Sequence, residues 1–425
     1  MNTTIKQFSR AALALAVAAA LGQAHAGVYP QCPPDGDAAG TNGKVCRHLT
    51  GGDGWLSYGD GTRGYIFGFS DVTGVPDNEV MTRSTFNAKF SAPTLAFKQG
   101  QEVFLSLTNV GMTHRPDLFA PHSVHFHGFP QAAPIFDGTP EGSITVNMGS
   151  TITYYYKIND PGTYMYHCHV ESTEHMQMGM LGNLYVTPAQ DNTVFTGVPV
   201  DSAAYPPPAV QPTRDFNKFV YNDAQHNGVA FAPLDPRIGA TGYDVQAALQ
   251  LGSFDANFHY QSEVVQPLPF DTLRSTHTFI NGRNYPDTVD PRTTDFLKTR
   301  VDPEDAATVL PETSQPISSK ITANVGQRIL LRLSNLSVVD YFTVTAMGLP
   351  FKVVGAGAAI ARGPDGVDHS YRTSSVTLGG GEAVDVLVDT TGVAPGTYVL
   401  YTTNLNFLSN GAEDRGGIMT HIVIN

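Results

Sequence analysis

Residues 162–180 read GTYMYHCHVESTEHMQMGM and set His167, Cys168, His169, His175 and Met180 within a few residues of one another. Pro161-Gly162 marks a turn, and the Tyr/Met/Tyr text after it predicts a β-strand that runs into the His-Cys-His triplet. Side chains alternate faces along a strand. Cys168 therefore points one way, and His167 and His169 point the other. A thiolate, two imidazoles and a weak axial thioether are the ligands of a blue-copper electron-transfer site. Cys168, His175 and Met180 supply three of the four.

The missing imidazole lies upstream, in HSVHFHG at 122–128. The same parity puts His125 and His127 on one face and His122 on the other. Two metal positions result: His122, Cys168, His175 and Met180 in one, and His125, His127, His167 and His169 in the second. They should sit on opposite sides of the strands, on the order of 10 Å apart if separated by one sheet-packing thickness. The bonds joining Cys168 to its neighbours connect them.

These paired runs resemble those of the multicopper oxidases and, more distantly, of the copper nitrite reductases. The resemblance implies a cupredoxin-like fold, with His122, Cys168, His175 and Met180 as type 1 copper ligands. It also implies His125, His127, His167 and His169 as catalytic ligands of a type 2/type 3 copper cluster. Five residues, Val170 to Glu174, separate the triplet from the next His where the family usually has three. The ligand order is kept and the loop is longer.

The chain of 425 residues exceeds the usual single-domain size. Residues 1–26 carry Lys6 and Arg10, an Ala/Leu/Val run and Ala24-His25-Ala26, the pattern of a secretory signal peptide. A periplasmic or secreted protein is expected, with no membrane span. The formal charge is −13, and loss of Lys6 and Arg10 leaves −15. Such acidity disfavours nucleic-acid binding. Of the three cysteines, Cys168 belongs to the metal motif, so Cys32 and Cys46 are expected to pair in an oxidising compartment. That disulfide would stabilise by about 3 kcal/mol in the chain-entropy view.

Residues 27–60 read as a loop-rich segment around this disulfide. From 61 onward, β-branched and aromatic runs broken by Gly, Pro and Asn predict an all-β protein of Greek-key sandwiches. Domain 1 is expected at 61–190, a Pro-rich linker at 191–214 and domain 2 at 215–425. Domain 2 repeats domain 1: QEVFLSLTN (101–109) matches QRILLRLSN (327–335), and PGTYMYHCH (161–169) falls opposite PGTYVLYTTN from 395. In this register His122, His125 and His127 become Phe342, Thr345 and Met347. His167, Cys168 and His169 become Tyr401, Thr402 and Thr403. Domain 2 therefore has no recognisable copper motif, and its isolated histidines, His226, His259, His277, His369 and His421, form no HxH pair.

The expected function is that of an exported copper oxidoreductase. A small-molecule or metal-ion reductant gives electrons to the type 1 site, with His175 the ligand nearest the surface. A small oxidant, dioxygen by family default, takes them at the second site. The full cluster of the family uses eight histidines, and two-domain relatives obtain half from an adjacent subunit, usually in a trimer. Four are legible here. A non-enzymatic periplasmic copper carrier and a copper nitrite reductase are the competing readings. The latter family places Asp where His125 stands, which this chain does not.

Overall fold

The computed structural model describes residues 30–201, 208–290, 298–301, 309–312, 318–411 and 413–425. The signal-peptide reading of 1–26 and most of the proline run at 205–208 lie outside them. Domain 1 comprises β1 (Lys44–Ser57), β2 (Arg63–Asp71), β3 (Ala92–Lys98), β4 (Glu102–Gly111), β5 (His125–His127), β6 (Thr151–Lys157), β7 (Gly162–His167) and β8 (Leu181–Thr187). They make two four-stranded sheets, ordered β2-β1-β4-β6 and β3-β8-β7-β5. Between the sheets pack Leu105, Leu107, Phe126, Tyr156, Tyr166 and Val186, all fully buried. Phe126 stacks on Tyr156 at 4.1 Å between centroids, a contact that adds to roughly 1.5–3 kcal/mol per fully buried apolar side chain.

Domain 2 repeats this topology. In domain 1, β1 runs parallel to β4 and β4 antiparallel to β6. In domain 2, Val245–Phe254 runs parallel to Arg328–Asn335, which is antiparallel to Glu382–Asp389. The other sheets agree as well: β3-β8-β7-β5 corresponds to Ile321–Ala323, Met419–Ile424, Gly396–Thr402 and Phe342–Ala346. The register matches the repeat residue for residue at the critical point. His125 pairs with His167 across β5 and β7, and Thr345 pairs with Tyr401 in the second copy.

Strands lie inside two segments that the sequence reads as loop and linker. Within the segment at 27–60, β1 occupies Lys44–Ser57 and is an inner strand of the first sheet. Its Gly-rich text misleads because the glycines are there for space, not for a turn. A Cβ on Gly51 would lie 2.9 Å from the His122 ring, and one on Gly52 would lie 2.5 Å from Val110. The 191–214 stretch is not purely a connector either, since Phe195–Pro199 and Thr213–Phe216 pair as antiparallel strands. Cys32 and Cys46 are disulfide-bonded, with Cα atoms 5.7 Å apart, and tie the N-terminal segment to β1.

A buried polar knot joins the domains. Asp385 accepts hydrogen bonds from Thr163 of β7 at 2.5 Å and from Tyr221 at 2.6 Å. The fully buried Arg332 lies 3.7 Å from the same carboxylate and also donates to Thr163. Removing one partner leaves a buried guanidinium without its counter-charge. Asp385→Ala should therefore lower the unfolding free energy by roughly 3–5 kcal/mol, whereas the double change Arg332→Met with Asp385→Leu should recover most of that loss. Equilibrium urea unfolding of the two variants checks both.

Candidate metal centre

β7 ends at His167, and its pairing with β5 and β8 fixes which way each following side chain points. Cys168 N–H donates to the Met180 carbonyl at 3.1 Å, and Met180 N–H donates to the His175 carbonyl at 2.9 Å. Between them the extended loop becomes a short helix, Ser172–Gln177, entered through Glu171 in the left-handed region at φ 45°. The extra residues thus coil into a helical turn that returns His175 to the sulfur.

Cys168, His122 and His175 place one ligand atom each within 4.8 Å of one another. The Cys168 Sγ lies 3.1 Å from His175 Nδ1 and 4.0 Å from His122 Nδ1. Met180 is fully buried. A Cβ on Gly51 would meet both its methyl, at 3.1 Å, and the His122 ring, so Met180 and His122 line one wall. Ser123 N–H donates to the sulfur at 3.4 Å. The Nε2 atoms of His122 and His175 are buried and have no hydrogen-bond partner among the described residues. One thiol, two imidazoles and a thioether converging out of water suit copper.

His175 is not near the surface, contrary to the sequence expectation. Its side chain is 1% exposed. Phe67 of β2 packs edge-on against its ring at 5.8 Å, and the Glu171 carboxylate lies 3.9 Å from Nε2. The helical turn carries His175 inward where an open loop would have carried it out.

On the opposite face, His125, His127 and His167 bring ligand atoms within 4.8 Å of one another. His169 flanks them, its ring 5.1 Å from His125 and 5.6 Å from His167. His127 Nδ1 faces His167 Nε2 at 3.3 Å. His167 Nδ1 donates to the Cys168 carbonyl at 2.9 Å and His125 Nδ1 to the Asp137 carbonyl at 2.6 Å, so both rings turn Nε2 towards the cluster. Six of the eight residues singled out in the sequence thus gather into two groups, with Met180 beside the first and His169 beside the second.

Residues that the sequence did not single out complete the frame. Ser123 serves both pockets, because its hydroxyl accepts from His169 N–H at 3.1 Å. Its position between His122 and His125 was the available signal. Asp137 and Gly381 were less legible. Gly381 of domain 2 lies over His127, and a Cβ there would be 2.9 Å from Nε2.

Burial sets the protonation. It pushes the Cys168 thiol up to about 11, and pushes His175 down to about 4 and His167 down to about 3. Burial, reinforced by His175, takes His122 well below its ordinary range. The imidazoles are thus neutral and ready to ligate at neutral pH, while the sulfur must shed a proton. Metal uptake at the sulfur pocket should release about one proton per ion at pH 7, measurable in weakly buffered solution, and Cys168→Ser should abolish the release. The lowered imidazoles also take up protons more readily in the unfolded chain. Without metal, stability should hold above pH 6.5, the ordinary imidazole value, and fall as the pH drops towards about 4. Urea midpoints across that range should show the slope, and His167→Gln should flatten it.

A sequence profile of the multicopper oxidase family matches residues 70–191, and a second profile of that family matches 256–423. An L-ascorbate oxidase of Nicotiana tabacum is 34% identical over 113 residues, which is 26% of this chain and 18% of that enzyme. The chain thus aligns with under a fifth of this relative's length. Among solved structures, the blue copper oxidase of Nitrosomonas europaea superposes with a TM-score of 0.59 at 19% identity, covering 90% of this chain and 86% of that one. The copper nitrite reductase of the same organism gives 0.52 at 14%, covering 90% and 94%. These likenesses show the cupredoxin fold. Two profile matches, one on each sandwich and together spanning most of the sequence, place the chain in the multicopper oxidase family.

Proposed function

We propose that this chain is an exported copper-dependent oxidoreductase that takes electrons from a small organic or metal-ion reductant and gives them to a small oxidant, dioxygen first among candidates. One observation carries the proposal: Cys168 belongs to one ligand group, and its bonded neighbours His167 and His169 belong to the other. In this reading His122, Cys168, His175 and Met180 hold a type 1 copper. His125, His127, His167 and His169 hold copper where the oxidant reacts. Bound copper would supply the one-electron chemistry and, at the second pocket, Lewis acidity.

The protein's part is connection and rigidity. The two pockets are linked through the peptide bonds at Cys168 and through the hydrogen bond from His167 Nδ1 to the Cys168 carbonyl. Buried groups held at strand ends and tied by the Cys168–Met180–His175 backbone bonds change shape little, which suits rapid one-electron exchange. The disulfide and the signal-peptide pattern support export to the periplasm or beyond. Among the described residues no helix is long and apolar enough to cross a membrane.

The second reading, a copper carrier with a smaller site, is favoured by domain 2, where Thr345 and Tyr401 occupy the register of His125 and His167. A homotrimer is the assembly by which two-domain relatives bring a partner half to such a site.

Copper counted per chain separates the readings: about four for a completed cluster, about two for a nitrite-reductase-like site and about one for a carrier. The loaded protein should be blue, and Cys168→Ser colourless. Replacing both His167 and His169 by Ala should keep the colour while stopping oxygen uptake with a phenol, ferrous or cuprous donor. Loss of colour in that variant would remove the assignment of these rings to the second pocket.

A further inference from the structure

The loop bearing two of the four sulfur-pocket ligands is held from the other domain. Domain 2 contributes a helix, Ala256–Glu263, capped by Asp255, whose side chain accepts from Asn257 N–H at 2.9 Å. The helix lies against β2 and the ligand loop. Fully buried His259 on it reaches two carbonyls of domain 1: Nδ1 is 2.6 Å from Tyr65 O, and Nε2 is 2.9 Å from Gln177 O. Gln177 is the last residue of the ligand helix, between His175 and Met180. Next to it, Gly179 sits at φ 119°, where a Cβ would come within 2.7 Å of Phe67 O and 3.5 Å of the domain 2 ring of Phe254. Phe67 N–H donates to Met178 O at 2.9 Å. The turn from His175 to Met180 is thus clamped by β2 on one side and by His259 and Phe254 on another.

We propose that His259 is a positioning residue for the sulfur pocket. Packed between the Tyr65 and Gln177 carbonyls and donating its single ring N–H to one of them, it fixes the lengthened turn so that His175 and Met180 face Cys168. Domain 2, which carries no ligand motif of its own, thereby shapes the centre of domain 1. This rests on the copper reading only for its spectroscopic consequence. The mechanical claim concerns the metal-free chain.

The test uses the full-length protein with His259→Ala, His259→Gln and, as a control, Glu263→Gln. Glu263 fastens the same helix elsewhere, accepting from Trp55 Nε1 at 3.0 Å and Arg63 at 2.6 Å. In metal-free protein, His259→Ala should speed amide exchange at Met178–Met180 and iodoacetamide alkylation of Cys168 by about five- to tenfold, the effect of one lost hydrogen bond. Exchange in Arg328–Asn335 should not change. His259→Gln, which keeps a donor, should restore most of the protection and covers the case in which the Ala variant does not fold. Glu263→Gln should leave both rates within about twofold. With Cu(II), His259→Ala should move the thiolate-to-copper absorption and the reduction potential, and Gln should return them towards the parent values. Unchanged exchange and alkylation in both His259 variants would overturn the proposal, as would an equal effect from Glu263→Gln. If the rates change as expected while even the parent protein never turns blue, the copper reading fails and the positioning role stands.

Discussion

Everything in the molecule depends on the alternation of side chains across the end of β7. A shift of one residue would send Cys168 to the face of His125 and His127 and bring His167 and His169 to His122, mixing both ligand sets. The register is therefore pinned from several directions. β5 and β8 pair with β7 on either side, and Cys168 itself is anchored through its N–H to Met180. Desolvation raises the cost of each polar group placed here, because buried imidazole nitrogens and a buried thiol give up water. Nε2 of His122 and of His175 finds no replacement among the described residues. A fold that sets such groups together against their solvation preference has its frame held elsewhere, by the aromatic core between the sheets and by the domain interface.

Duplication explains how the second sandwich came to serve the first. Its strands keep the order and register of domain 1, yet its ligand positions hold Phe342, Thr345, Tyr401 and Thr402. Thr402 occupies the place of Cys168, fully buried, and its hydroxyl is unpaired among the described residues. What domain 2 retains is surface fitted to domain 1. Asp385 grips Thr163 in the strand that leads to the ligands. Gly381 lies against His127, and the Ala256–Glu263 helix presses on the loop beside His175.

The two groups could be read from the sequence because strand parity is a local rule and both motifs lie on or beside strands, β5 at His125–His127 and β7 up to His167. The duplication was legible for a similar reason, since paired strands conserve their hydrophobic spacing. β1 was not. Its run GGDGW carries the composition of a turn, but Gly51 and Gly52 are small because His122, Met180 and Val110 crowd them, and those neighbours are remote in sequence. The burial of His175 was missed for the same kind of reason. Nothing local distinguishes a loop that opens outward from one that coils back as Ser172–Gln177. The contacts that decide it come from Phe67 and from domain 2.

For the proposed function, burial of His175 bears on how a donor would meet the protein. A ligand ring open to solvent would touch a reductant directly, and selectivity would follow from the pocket around that ring. Here the ring lies beneath Glu171 and Phe67. On the proposed function, a donor would meet this covering layer, and the last step would cross protein, not solvent. The layer also excludes water from the sulfur, keeping the environment of Cys168 apolar and rigid whatever docks outside. Under the proposed function, selection among reductants would then fall to the charge and shape of the outer surface. On this surface Glu171 is 68% exposed, with its carboxylate 3.9 Å from His175 Nε2, so the layer covering the buried ring carries negative charge.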